Sequence, residues 1–230
     1  MVHVKKSDRS KPWAKKIDYK RNQSFTRKIK SVFLIYCEGK NTEPTYFKSF
    51  PVNSETSVEA IGFGRSRTAL IQHIIDLASA KELLFGQDNY DPDRQIWCVF
   101  DKDKKGTDGE DEDFNNAVNL ALNKKLLVAY SNDSFELWFV LHDKYIDTKQ
   151  NRKHYYKYLS ERFNINYEKD GKSMSFVSNL YNVLLPKQKD AIRNAEKLHI
   201  THKDANDYSN YCPCTTVYKL VRQLNKCLKS

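Results

Sequence analysis

Three short runs of this chain are apolar on both of their alternating sides, and that limits the fold more than any other feature. They are SVFLIYC (31–37), IWCVF (96–100) and LLVAYS (126–131). A strand with two apolar faces must be covered on both, as happens inside a parallel sheet. Between the runs the period changes to that of helices. SRTALIQHIIDLASAKEL (66–83) has apolar residues at 70, 71, 74, 75, 77 and 78. DFNNAVNLALNKK (113–125) carries Phe114, Val118, Ala121 and Leu122 at helix spacing. EGKNTEPTYFKSF, after the first run, offers Gly39 for a tight turn, Thr42 for a cap and Pro44 for a first helical turn. SVEAIGF (57–63) is a weaker strand. Strand and helix thus alternate four times across 31–142. This predicts an α/β core with a parallel sheet of about four strands and helices on both faces.

From about 143 the character changes. KYIDTKQNRKHYYKYLSERFNI reads as helical, basic and aromatic, and SMSFVSNLYNVLL and PKQKDAIRNAEKLHI as two more helices. CTTVYKLVRQLNKCL (214–228) reads as a final amphipathic helix, with Val217, Leu220, Val221 and Leu224 on one face. The expected organisation is a basic arm over 1–30, an α/β core over 31–142, and a helical C-terminal extension over 143–230 packed on the core.

The apolar runs end in acids. Glu38 follows the first, Asp101 and Asp103 follow IWCVF, and Asn132 and Asp133 follow the run at 126–131. In parallel sheets functional groups gather outside the carboxyl ends of the strands, so these side chains should meet. Carboxylate oxygens suit Mg2+ or Mn2+, and no histidine cluster competes for zinc. Such an ion polarises a phosphoryl oxygen and positions an attacking water. Glu38 would then act as a base, an acid or a further ligand. An isolated Asp-x-Asp after a strand can equally cap the next helix. The Glu-Gly ending a second strand points instead to a bound cation, since unpaired like charges brought together cost stability.

The net charge is +10, but residues 1–30 hold eleven Lys or Arg against two Asp, and the other 200 residues 28 basic against 27 acidic. The basic character belongs to the arm. It suits a nucleic acid partner, or a solubilising tail. Trp13, Tyr19 and Phe25 within it can stack on bases or pin the arm to the body. Lys40, Lys102 and Lys104 near the strand ends, and Arg65 and Arg67 at a helix start, are candidate phosphate contacts. Arg152 and Lys153 join them, on a segment where His154, Tyr155, Tyr156 and Tyr158 lie among lysines. That segment is either a nucleic-acid face or a solvated helix with its aromatic side buried. No apolar run approaches the roughly 20 residues that cross a membrane. No apolar signal-peptide core opens the chain. The expectation is a cytoplasmic protein. Cys37 and Cys98 read as core residues, and Cys212-Pro213-Cys214 lacks the spacing and the second pair of a zinc site.

LIYCEGKNTEPTYF, WCVFDKD and SNDSFELWFVLH, in this order and spacing, together resemble the RloB-like family, and CPCTTVYKLVRQL resembles its C-terminal helix. The likeness covers most of 27–228. That family is encoded in bacterial and archaeal defence loci, often beside restriction genes, and is similar to Toprim domains. The resemblance implies a Toprim-like Rossmannoid sheet, with a first-strand Glu and a third-strand Asp-x-Asp around Mg2+. Those roles fall on Glu38, Asp101 and Asp103. It also implies a nuclease cutting DNA or RNA, tRNA included, in anti-phage defence. Restraint by a defence-locus partner or a phage-derived trigger would be expected, and a homo-oligomer is compatible. The chain has fourteen tyrosines but no second domain for the covalent tyrosine of topoisomerases, which favours hydrolysis. Glu136 can be a fourth acid of the site, a group that orients a ligand, or a helix-start charge. Glu43 is read as a helix-start charge or a member of the site. Phe135, Leu137, Trp138, Phe139 and Leu141 are expected in the core, and His142 as a packed helix residue. The alternative is a non-catalytic component that binds nucleic acid or a partner. A phosphatase using Asp101 as nucleophile is the third reading, but that fold puts Asp-x-Asp on its first strand.

Overall fold

The computed structural model describes residues 29–103, 109–201 and 207–229. All but the last two residues of the basic arm, and Lys104, lie outside the described residues.

Four parallel strands form the centre: β1 (Ser31–Cys37), β2 (Thr56–Gly62), β3 (Arg94–Asp101) and β4 (Leu127–Asn132). A two-residue strand, β5 (Cys214–Thr215), adds antiparallel to β4, and the order across the sheet is β2-β1-β3-β4-β5. The two-sided apolar pattern has its expected cause. Phe33, Ile35 and Cys37 of β1 point into one core with Trp97 and Val99 of β3. Leu34 and Tyr36 point into the other with Ile96, Cys98 and Phe100. Alternate side chains of a strand leave on opposite faces, so each strand serves both cores.

Helices α2 (Arg67–Ala80) and α3 (Glu110–Asn123) cover one face through Leu70, Ile71, Ile74, Phe114, Ala117 and Val118. The other face is larger. Helix α1 (Thr42–Lys48) and the short α4 (Glu136–Val140) lie on it with Tyr46, Phe47, Trp138 and Phe139 fully buried. Trp138 Nε1 donates to Tyr46 Oη at 3.0 Å, which pairs the two helices. Five further helices come from the C-terminal part: α5 (Arg152–Phe163), α6 (Tyr167–Asp170), α7 (Met174–Leu184), α8 (Gln188–Ile200) and α9 (Val217–Asn225). Leu159, Leu180, Leu198 and Leu220 enter the same core as Phe33 and Ile35. Burying each such side chain contributes about 1.5–3 kcal/mol.

Two expectations about elements change. Residues 144–151 are not helical. Asn151 accepts a hydrogen bond from the Lys153 N–H at 2.9 Å, and this cap starts α5 at Arg152. The final helix begins at Val217, because Cys214 and Thr215 pair with β4 as a fifth strand. Hydroxyls hold them there. The Tyr130 N–H donates to Thr216 Oγ1 at 2.9 Å, and Ser131 Oγ meets Thr215 Oγ1 at 3.0 Å. Phe135, Leu137, Trp138, Phe139 and Leu141 are in the core as expected. His142 is packed there too, with Nδ1 2.9 Å from the Trp138 carbonyl. Burial holds its pKa down at about 4. No helix among the described residues is long and apolar enough to cross a membrane.

Candidate active site

The sheet brings the first two acids together directly. β1 and β3 are neighbours in parallel register, with Cys37 opposite Val99. The Glu38 N–H donates to the Val99 carbonyl at 2.8 Å, and the Asp101 N–H donates to Glu38 Oε2 at 3.3 Å. Asp101 Oδ2 in turn accepts from the Phe135 N–H at 2.9 Å, which fixes it toward the start of α4. Glu136, in the first turn of α4, is 4% exposed. Glu43, in the first turn of α1, is 7% exposed. Glu43 comes this close because Gly39 has no side chain. A Cβ there would fall 2.1 Å from Glu43 Oε2.

Glu38, Glu43, Asp101 and Glu136 therefore converge on one cavity of about 230 Å3, which Asp103 also lines. Their electrostatics reflect the crowding. Burial, and then the charges of Glu136 and Glu38, raise the Glu43 pKa to about 7. Burial, followed by Glu43, Glu136 and Glu38, pushes Asp101 well above the usual carboxylate range, although the Phe135 N–H pulls the other way. Crowded acids of this kind hold a proton or attract a cation.

The donor set fits a hard divalent ion, being all oxygen, with buried carboxylates that repel one another. Among the described residues no group of three is already drawn together to hold one ion. Mg2+ does not need that, since it keeps several waters and uses one or two carboxylates.

The second acid of the Asp-x-Asp lies on the same cavity but in a different pairing. Asp103 forms an ion pair with Arg152, and its N–H donates to the Asp133 carbonyl at 3.1 Å. Of the remaining expected contacts, Lys40 also lines the cavity and is exposed. Arg65 and Lys153 are exposed and do not line it. Lys102 and Arg67 are buried, at 3% and 7% exposure. Lys102 Nζ meets Asp111 Oδ1 at 2.8 Å and donates to the Ser209 carbonyl at 2.7 Å. Arg67 pairs with Asp113 Oδ2 at 2.8 Å and donates to the Lys102 carbonyl at 2.5 Å. The acids of the first turn of α3 hold both cations inside the fold, where they pin the strand end carrying Asp101. On α5, Tyr155 and Tyr156 are buried while Lys153, His154 and Lys157 are exposed. The helix thus shows a charged side and packs its aromatic one.

Some polar residues of the cavity are not singled out for it by the sequence. Lys172 and Tyr156 line it, and Lys172 Nζ donates to Tyr156 Oη at 2.7 Å. Tyr156 was visible only as part of a basic aromatic segment, and Lys172 stands in a turn with no motif around it.

No curated protein matches the chain significantly, and no solved structure does. The family description RloB-like protein matches residues 33–224, a span that contains every described residue of the cavity. The chain belongs to the RloB-like family.

Proposed function

We propose that this protein is a Toprim-like phosphodiesterase, dependent on Mg2+ or Mn2+, that hydrolyses nucleic acid in anti-phage defence. The observation that carries the reading is the convergence of Glu38, Glu43, Asp101 and Glu136 on one cavity with Lys40, Arg152 and Lys172 around it. Glu38 and Asp101 are the residues that would hold the ion, with Glu43 and Glu136 beside them. Bound there, it would supply Lewis-acid activation of a phosphoryl oxygen and of water.

The chain's own groups have separate tasks. Asp101 keeps its orientation through the Phe135 N–H. In the metal-free site burial raises the Glu43 pKa to about 7, and its carboxyl is the one we assign as general acid or base. Arg152 neutralises Asp103 at the rim. The excess of cations, concentrated in residues 1–30, raises the local concentration of a polyanion such as DNA or RNA.

The test is to incubate the purified protein with single- and double-stranded DNA, total RNA and tRNA, with Mg2+ or Mn2+. Cleavage of one class that is lost with chelator and in Asp101→Ala supports the reading. One observation favours the second reading, a binding component of a defence complex: Asp103 is already engaged by Arg152. In that case Asp101→Ala retains nucleic-acid affinity and wild-type protein cuts nothing.

A further inference from the structure

The C-terminal extension reaches the acidic cavity through Lys172, in the turn between α6 and α7. Its backbone is closely held. A Cβ on Gly171 would come 2.3 Å from Tyr167 Cδ2 and 2.6 Å from Cγ, and Tyr167 is fully buried. The chain just before Lys172 therefore presses on a ring with no room to retreat, and the lysine starts from a fixed point.

The end of the side chain is held differently. An ammonium has three donors and no acceptor. One donor of Lys172 goes to Tyr156 Oη at 2.7 Å. Glu136 Oε1 lies 3.7 Å away, an ion pair but too long for a hydrogen bond. The Lys172 side chain is 43% exposed, against 5% for that of Glu136. Tyr156 keeps its own proton, since burial and then the Glu136 charge raise its pKa. It acts as a neutral acceptor. The other cations of the cavity are placed differently. Arg152 is committed to Asp103, and the stem of Lys40 lies against Gly64. A cavity walled by acids repels a phosphate, and a fixed cation beside them offsets this.

We propose that Lys172 binds a non-bridging oxygen of the phosphodiester at this site, and that Tyr156 is the residue that positions it. The inference rests on the phosphodiesterase reading for its substrate. A compact ammonium on a tethered stem suits a single phosphate oxygen, without reading the base. It therefore predicts a contact made equally with every sequence.

The experiment uses the full chain carrying Lys172→Met, Lys172→Arg or Tyr156→Phe. Cleavage is measured on the substrate class the wild type cuts. Affinity for a labelled oligonucleotide of that class, or a single-stranded RNA if none is cut, is measured against KCl concentration. The binding arm uses the Asp101→Asn background at fixed Mg2+. Lys172→Met is expected to slow cleavage about 100- to 1000-fold, the loss typical of removing one such donor. It is also expected to lower the slope of log affinity against log salt by about one, uniformly across sequences. Lys172→Arg keeps the slope. Tyr156→Phe keeps the slope and slows cleavage, which also serves as the test should Lys172→Met lose its native melting transition. A slope unchanged by Lys172→Met, or cleavage unchanged by Tyr156→Phe, overturns the proposal. If wild-type protein cuts nothing but the slope still falls, the phosphate contact stands and the phosphodiesterase reading fails. If wild type cuts and the slope does not move, the reverse holds.

Discussion

At the scale of single residues, Glu43 carries the most consequence. Its carboxyl is buried because Gly39 leaves room for it, and its pKa rises from an ordinary 4.5 to about 7. A carboxyl whose folded pKa is raised binds its proton more tightly when folded. Its contribution to stability is then present at low pH and lost as pH rises from about 4.5 through about 7. His142 has the opposite sign: its pKa is lowered to about 4, so falling pH weakens the fold. A melting curve of the wild type alone mixes the two. The difference between Glu43→Gln and wild type isolates Glu43. In metal-free buffer the variant should melt higher at pH 8, and the gap should close by about pH 5. A gap independent of pH would contradict the burial of a strained carboxyl. The sequence leaves Glu43 open between a helix-start charge and a member of the site. Its inward direction depends on the absence of an atom at Gly39, and no pattern of residue types records that. Glu38 and Asp101 were legible because each ends a run whose two-sided apolarity already fixes it inside the sheet.

At the scale of elements, the site depends on how β1 and β2 end. Gly62, the last residue of β2, touches the turn after β1. A Cβ there would meet the Gly39 carbonyl oxygen at 2.2 Å and Lys40 Cα at 2.6 Å, and both are backbone atoms. Backbone cannot rotate away as a side-chain tip can. Gly62→Ala should lower unfolding free energy in urea by about 1–3 kcal/mol, the range for overpacked sites. It should also slow the reaction, because the turn it displaces carries Glu38. Wild-type stability would show that the turn gives way freely. The strands and helices of 31–142 followed from periodicity. β5 did not, because two residues are too short for an alternating pattern, and Thr215 and Thr216 act through hydroxyls that bond β4. α9 has a different weakness. Leu220→Ala removes a fully buried side chain and should cost about 2–5 kcal/mol by the same urea measurement.

At the scale of the molecule, the helices after residue 143 share one core with the sheet, and one of their turns supplies Lys172 to the cavity. In the fragment 31–142 alone, only α1 and α4 would cover the face that carries Phe33, Ile35 and Trp97, and Trp138 would lose the helices packed on it. The fragment should therefore fail to give the dispersed amide spectrum that the full chain gives. A well-dispersed spectrum from the fragment would mean that the extension is an added layer and not half of the fold. From sequence the extension reads as helices packed on the core, without showing which face of the sheet they cover. Its apolar residues are spread over five helices, and their common partner is the sheet face that the first half of the chain leaves open. The whole then sets half-buried acids at the strand ends, and buried ones at two helix starts, inside a chain of net charge +10. Under the proposed function, that arrangement would draw a polyanion toward a place where a proton or a cation neutralises the carboxylates.

Mn2+ titration of the metal-free full chain, followed by calorimetry and by the electron paramagnetic resonance of the free ion, tests this most directly. Saturable binding of at least one ion per chain is expected, weakened strongly by Asp101→Asn and by Glu38→Gln while both variants keep the wild-type melting transition at pH 5. Absence of saturable binding, or equal binding by wild type and Asp101→Asn, would contradict it.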